Sequence, residues 1–564
     1  MLGSVAIGIL AAFVIQAVRW LQGRAGSIPL GVPVWVLIGT ALAIGLHFFV
    51  RRKRELPEDY HGLSDMVIHI HQSTSPDAPL RWLARAVVSG FLAVFSGCVG
   101  VEGAGMETAY GAFLRFRPRS ARWFEQRRRT DASNTIAAGL AAAFGAPFAA
   151  ILAPIEFGIG GRTISSVICA FSAFLASRFL SGLLGLPKFE VAGSLYDVSV
   201  TSWQAWLALG LTAIAGGLGG VVLGLFVDYF GRSLRAVAIS LGGDGWRRIA
   251  LGSILLAAIF AIYAPTSLVS HTTLQDLFWG RIALADSGIL FFSKAFAFAL
   301  VLSAFGTAGI FWPLLTLGGL FGFVFSQGVL HFIFPELGSF APLAALAGGA
   351  AFWGSLLGAP VTGAVLACEI TDSYKFLLPC LVAGLLAREV AHRMGAHTLF
   401  ERDLRVRGFW LSEGRLTSIL ASLKVADAMV TDFECADEHE PVAQARERLL
   451  RAAHPFLPVI RSDGSYTGLL TIDMVYEGLA GRAEAGGSPL DQLLEVKDLL
   501  YRSGFRTSQV RKDDPLTVTS GLFHDVPCVP VVGDDGKMQG LLYTQNVRMV
   551  YEREVARRSL RTPV

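Results

Sequence analysis

Glu102 stands in the run Cys98-Val99-Gly100-Val101-Glu102-Gly103-Ala104-Gly105, with apolar text on both sides. An acid inside an apolar stretch is costly to keep in lipid, so its default explanation is a functional one. The glycines around it break a helix. A helix that restarts at such a break offers unpaired N–H groups and about half a positive charge. That end binds anions. A carboxylate there competes with an anion for the same amides, and protonation removes its claim. Glu102 therefore reads as a gate answering to both pH and anion concentration. The plainer alternative is a carboxylate that caps a helix and reaches water. Glu107, five residues on and on a different helix face, reads as structural.

Two further acids come as a pair. The segment AAAFGAPFAAILAPIEF (141–157) and the segment AAFWGSLLGAPVTGAVLACEITD (350–372) each carry Gly-Ala-Pro. Nine residues separate Pro147 from Glu156, and nine separate Pro360 from Glu369. Upstream of each lies a second break, at Gly100-Val101-Glu102-Gly103 and at Gly309-Ile310-Phe311-Trp312-Pro313. Matched spacing and matched breaks point to an internally repeated transporter fold with its site near the midplane. Glu156 and Glu369 then serve structure, by capping or pairing near a helix end. Lys294, also intramembrane, either raises the potential along an anion path or pairs with a carboxylate and snorkels.

The elements that position these residues follow from composition. Of 564 residues 53% are hydrophobic and 16% charged, and mean hydropathy is +0.53. Soluble chains carry about a quarter charged residues, so a soluble enzyme is excluded. The net charge of +4 gives no case for nucleic acid. Six scattered cysteines without a C-x-x-C pattern give none for a disulfide framework or a bound metal. No nucleophile–base pair is visible, so the chain is not read as an enzyme. Apolar segments run to about residue 395. Several are shorter than the roughly 20 residues of a simple span, and broken backbone is tolerated in a bilayer only where it is buried in protein or lines a wet cavity. We expect a membrane domain over 1–410, a linker over 411–424 and a compact tail. Arg51, Arg52, Lys53 and Arg54 follow the second apolar segment. By the positive-inside rule the N-terminus and the tail are then cytoplasmic, in a multi-pass cell-membrane protein.

At these residues the chain resembles the CLC family of chloride channels and proton/chloride exchangers. Gly100 to Ala104 is similar to the family's G-[KR]-E-G-P gate, and Gly309 to Pro313 to its G-x-F-x-P. The stretch from Ala137 to Glu156, and EITDSYKFLLP (369–379), are similar to its later segments. The resemblance implies two inverted halves of broken helices, a homodimer with a pore in each subunit, and chloride or a similar anion as the solute. It implies that Gly100, Val101, Gly103, Ala104, Gly105, Ile310 and Phe311 line the anion path. It also exposes departures. Phe157 stands where exchangers carry an inner proton-relay acid, and Glu156 sits about 100° away around a helix. Phe400 replaces a central tyrosine, Val101 replaces the basic residue before the gate, and the serine-bearing loop is unrecognisable near Ser64. The missing acid favours passive, gated anion conduction, with proton-coupled exchange of chloride, another halide or nitrate as the alternative. A magnesium-type channel would need acids along a cation path, where this break offers amides.

The tail holds two similar units, HPFLPVIRSDGSYTGLLTIDMVYEGL (454–479) and DVPCVPVVGDDGKMQGLLYTQNVRMVYE (525–552). In each, Asp-Gly between apolar runs signals a hairpin. The pattern resembles paired CBS domains, placed at 425–482 and 495–555, an α/β pair behind an otherwise all-α membrane part. Such pairs often hold adenine nucleotides through an aspartate. Here Met474 and Asn546 occupy the expected places, with Asp473 one residue early. The expectation is a dimerising, stabilising module without a cofactor, with nucleotide binding as the alternative.

Overall fold

The structure is a computed structural model. It describes residues 2–25, 62–71, 79–115, 124–160, 163–187, 200–241, 245–306, 308–406, 423–451, 456–476, 494–503, 509–516 and 528–559, with a few single positions between. The second apolar segment, the basic run 51–54 and most of the expected linker lie outside them. Two compact units divide the chain, Met1–Ile70 with Ser75–Gly414, and Arg415–Val564 with His71–Thr74.

The first unit is helical throughout. Its helices are α1 (Leu2–Ala25), α2 (Gly62–His71), α3 (Pro79–Ser96), α4 (Glu102–Arg115), α5 (Phe124–Phe144), α6 (Pro147–Glu156), α7 (Thr163–Leu183) and α8 (Trp203–Ser240). There follow α9 (Gly245–Ile262), α10 (Ser270–Phe278), α11 (Leu284–Phe305), α12 (Phe311–Val324), α13 (Ala341–Phe352), α14 (Pro360–Thr371), α15 (Leu377–Arg393) and α16 (Leu399–Val406). Among the described residues, six helical stretches are long and apolar enough to span a bilayer. Others are short, such as α6 with 10 residues and α14 with 12.

The repeat is visible in backbone geometry. α5 stops at Gly145, and the helical stretch ahead of α14 stops at Gly358; both glycines are left-handed, at φ 67° and 70°. A side chain there would be strained, so glycine ends each helix cleanly. Ala146 and Ala359 follow with φ −123° and −119°, outside the helical region that a following proline disfavours. Pro147 and Pro360 then open α6 and α14 at the first helical position, where a missing N–H costs nothing.

Glu156 and Glu369 complete the symmetry. Glu156, at the end of α6, accepts from the amides of Val361 (3.0 Å) and Thr362 (2.6 Å) at the start of α14. Glu369, near the end of α14, accepts from Phe148 (3.0 Å) and Ala149 (2.7 Å) at the start of α6. Each helix caps the other, so the two run antiparallel about a local two-fold axis, as inverted halves require. The capping expected from their matched spacing is what the two acids do, in reciprocal form.

The second unit holds two small sheets. β1 (Ala436–Asp437) lies parallel to β2 (Phe456–Ile460), which pairs antiparallel with β3 (Tyr466–Thr471). β4 (Cys528–Val532) and β5 (Met538–Tyr543) form the second hairpin. Val510 bridges Val531 in parallel, as β1 does β2. Register slips at Val459/Ile460 in one hairpin and at Val531/Val532 in the other. The two units therefore share topology and irregularity alike. Phe456 and Tyr543, rings 6.0 Å apart, pack between the hairpins with Leu469, Cys528 and Leu541. Helices α17 (Val442–Arg451), α18 (Val496–Ser503) and α19 (Thr544–Ser559) complete the unit.

Removing either reciprocal cap leaves two helix-end amides without a partner, a loss of about 1–2 kcal/mol. Glu156→Ala and Glu369→Ala are therefore expected to lower the thermal midpoint in detergent by similar amounts. Equal melting of wild type and both variants would remove the caps from the stability of the fold.

Candidate functional site: a carboxylate on a helix N-terminus

Glu102 opens α4, and its side chain crosses to the other half of the repeat. Its Oε1 accepts from the amides of Phe311 (2.7 Å) and Trp312 (3.2 Å) at the start of α12. The residue is fully buried, and its Oε2 has no hydrogen-bond partner among the described residues. The carboxylate thus occupies a helix end built to take an anion. It caps a helix, as the plainer sequence reading allowed, but it does not reach water.

The two breaks are stitched together. Gly100 and Gly309 form an antiparallel bridge, with the Gly100 amide donating to the Gly309 carbonyl at 2.8 Å. No side chain fits at this crossing. A Cβ on Gly309 would lie 2.2 Å from the Gly100 oxygen, and one on Gly100 would lie 1.9 Å from Glu102 Oε2. The glycines that signalled a break in the sequence are thus also what lets the two chains touch.

Against Gly103 and Phe311, which flank the seated carboxylate, is a cavity of about 20 Å³, room for roughly one water. Gly103, Met106 and Glu107 of α4 line it, with Ala308 to Phe311, Phe400, and Gly62, Leu63 and Met66 of α2. Of the residues expected along the anion path, Gly103, Ile310 and Phe311 reach this cavity. Gly100 and Val101 belong to the break. Gly105 faces α1, where a Cβ would meet Ile15 at 2.5 Å, and Ala104 sits beside Gly90. Ser64 is buried in the first turn of α2 and is not a cavity wall; Gly62 and Leu63 are. No hydroxyl lines the cavity among the described residues.

Glu107 is more than the structural residue that the sequence suggested. It accepts from Arg85 Nε at 3.3 Å, and Arg85 also bonds Asp65 through Nη1, yet Glu107 is a cavity wall too. Its signal in the sequence was position: it shares a helix face with Gly103. The two aromatic replacements also converge. The Phe157 ring lies 5.3 Å from Phe400 and 5.8 Å from Phe311, and all three are buried. Two departures that are far apart in the chain are one apolar cluster beside the cavity.

Lys294 does not make the carboxylate pair that one of its sequence readings expected. It is buried, and no carboxylate pairs with it among the described residues. Its Nζ donates to the carbonyls of Thr266 (3.0 Å) and Leu268 (2.5 Å). That turn in turn grips the loop before the gate: Cys98 Sγ lies 3.5 Å from the Thr266 carbonyl, and Ser270 Oγ donates to the Gly97 carbonyl at 3.2 Å. His69 and His71 lie at positions whose side chains are not described.

The bridge yields a graded prediction. Gly309→Ala drives a methyl into backbone, whereas Gly105→Ala meets only the far end of Ile15. Size exclusion and thermal melting should show Gly309→Ala far more damaging; equal behaviour would mean that the breaks do not depend on this crossing.

Comparison with known proteins agrees with this geometry. The family model described as voltage gated chloride channel matches residues 52–392, and the CBS domain model matches residues 425–481. The H(+)/Cl(−) exchange transporter ClcA of Yersinia pseudotuberculosis serotype IB (strain PB1/+) is 27% identical over 432 residues, 71% of this chain and 85% of that protein. ClcA of Vibrio parahaemolyticus serotype O3:K6 (strain RIMD 2210633) is 28% identical over 409 residues, 68% of this chain and 82% of that one. Among solved structures, a slow cyanobacterial Cl−/H+ antiporter superposes with TM-score 0.58 at 20% identity, over 72% of this chain and 97% of that one. A eukaryotic CLC transporter gives 0.53 at 19% identity, over 96% of this chain and 97% of its own. Helices broken in pairs, inverted halves and a family match over more than half of its length lead to one conclusion: the chain belongs to the voltage-gated chloride channel (CLC) family, as a membrane transporter with a CBS-bearing tail.

Proposed function

We propose that the chain exchanges chloride, or a similar anion, for protons across a cell membrane, with Glu102 as gate and proton carrier. The observation that carries this reading is the Glu102 carboxylate seated on the Phe311 and Trp312 amides. An anion can take those amides only when the carboxylate leaves, and protonation is what discharges it. Anion and proton then compete for one place, which is the elementary requirement of exchange. The absence of an acid at Phe157 favours passive conduction instead. Against it stand the similar proteins, named exchange transporters, and a third solved structure, a CLC-type fluoride/proton antiporter (TM-score 0.54, 20% identity, 69% of this chain and 95% of that one). The balance moves to exchange, and passive conduction becomes an outcome of the test.

In this reading the anion rests against backbone amides of Gly103, Ile310 and Phe311, since no hydroxyl lines the cavity among the described residues. The unit is a homodimer with one pathway per subunit. Exposed apolar side chains at the matched α6 and α14 ends, Phe148 and Val361, support a pairing face. The basic run at 51–54 sets the N-terminus and tail in the cytoplasm. The tail is a stabilising module without a nucleotide. Phe456 and Tyr543 already fill the space between its hairpins, and Thr471 Oγ1 is engaged by the Met474 amide at 3.3 Å.

Anion flux and proton flux recorded together in liposomes test the main reading. An outward chloride gradient should drive protons uphill, and acid should speed the exchange. Glu102→Gln should pass chloride without protons and lose the pH dependence. Chloride movement without protons in the wild type would establish passive conduction. For the tail, millimolar ATP or AMP should leave the melting of the full chain unchanged; a rise of several degrees would assign the tail a nucleotide site.

A further inference from the structure

Exchange requires that a proton reach Glu102, and Phe157 cannot hand one over. The cavity has an acid of its own. Glu107 lines it together with Gly103 and Phe311, so one wall carries a carboxyl group while another carries the amide on which Glu102 rests. On α4 the two acids are about 7.5 Å apart along the axis and about 140° apart around it. They therefore lie on different faces: Glu107 is a wall of the cavity, and Glu102 adjoins two of its walls, Gly103 in sequence and Phe311 through the amide on which it rests. Its volume of about 20 Å³ accommodates roughly one water. The Glu107 carboxylate turns toward the first residue of α2, where a Cβ on Gly62 would lie 2.5 Å from its Oε1.

We infer that Glu107 is a proton-carrying residue that loads Glu102 through the cavity, in place of the inner acid that Phe157 displaces. This rests on the exchange reading above. The proton leaves the Glu107 carboxyl, passes by way of one cavity water and binds the Glu102 carboxylate, whose Oε2 has no partner among the described residues. Glu107 becomes a carboxylate and Glu102 a neutral acid, which frees the Phe311 and Trp312 amides for an anion. The charged groups facing Glu107 suit this task. Arg85 of α3 lies at 3.3 Å and stabilises the carboxylate once formed, while Asp65 of α2 engages the same guanidinium and keeps it compensated when Glu107 is protonated. Arg85 also lies over the Trp82 ring at 5.2 Å, which fixes its place. From α12 and α16 the cavity walls are Ile310, Phe311 and Phe400, none of them titratable.

The experiment records chloride and proton fluxes together for wild type, Glu107→Gln and Glu107→Asp in liposomes. The expected result is chloride transport by Glu107→Gln with the proton-to-chloride ratio reduced at least tenfold, and partial recovery in Glu107→Asp. A merely structural Glu107 would change yield or rate and leave the ratio alone. A wild-type ratio in Glu107→Gln overturns this inference and leaves exchange standing, whereas a wild type that moves no protons overturns the exchange reading itself. If Glu107→Gln does not fold, the folded Glu102→Gln protein decides. With the gate neutralised, chloride entering the cavity should draw a proton onto Glu107, seen as proton uptake in titration calorimetry with buffers of different ionisation heat. No chloride-linked proton uptake would overturn the assignment.

Discussion

A carboxylate set against the free amides of a helix start is the contact on which this membrane unit depends. Among the described residues it joins one helix to another three times. Glu156 holds α14, Glu369 holds α6, and Glu102 holds α12. In lipid an unpaired amide has no water to turn to, so each short helix must bring a partner for its first turn. The chemistry is the same in all three places, and the difference lies in how fully each acid is engaged. Glu156 and Glu369 use both oxygens, one amide to each. Glu102 shares a single oxygen between two amides, and the other has no partner among the described residues. The first two are fasteners, and the third, in the exchange reading, is a latch.

Around the latch the fold removes water and leaves little that is polar. Phe144 stacks on Trp312 at 4.4 Å, and the Trp312 indole donates to the Ala143 carbonyl at 3.4 Å, which fixes the residue whose amide holds Glu102. Phe157, Phe311 and Phe400 close another side. In such surroundings amide dipoles act with little screening. They attract an anion without the full positive charge that would hold it too tightly for passage. Lys294 stays outside this arrangement, spent on two carbonyls of a neighbouring turn.

Much of this was legible in the chain because breaks in lipid are written in glycine and proline. Gly145-Ala-Pro147 and Gly358-Ala-Pro360 marked two helix starts, and a nine-residue interval placed an acid at each far end. The partners of those acids were not legible. Spacing tells which end of its own helix a glutamate occupies, but not which other helix comes alongside. The same limit hid the meeting of Phe157 with Phe400 and the cavity face of Glu107. The resemblance implied the amides of Ala104 and Gly105 for the anion path; that their side-chain positions face α3 and α1 is set by the fold and was not legible. Ser64 shows the local version of this limit: a single step along α2 separates the cavity wall Leu63 from Ser64, which is buried and is not a wall.

The reciprocal fasteners have a consequence for how the protein comes into being. The amides of Phe148 and Ala149 wait for an acid that lies 221 and 220 residues further along. During synthesis the first half therefore enters the bilayer with one helix start unsatisfied, and it stays so until the second half has been translated and inserted upside down beside it. Neither half is a finished object alone. A lineage that once joined two copies of an ancestral half could not afterwards part them without exposing both starts to lipid.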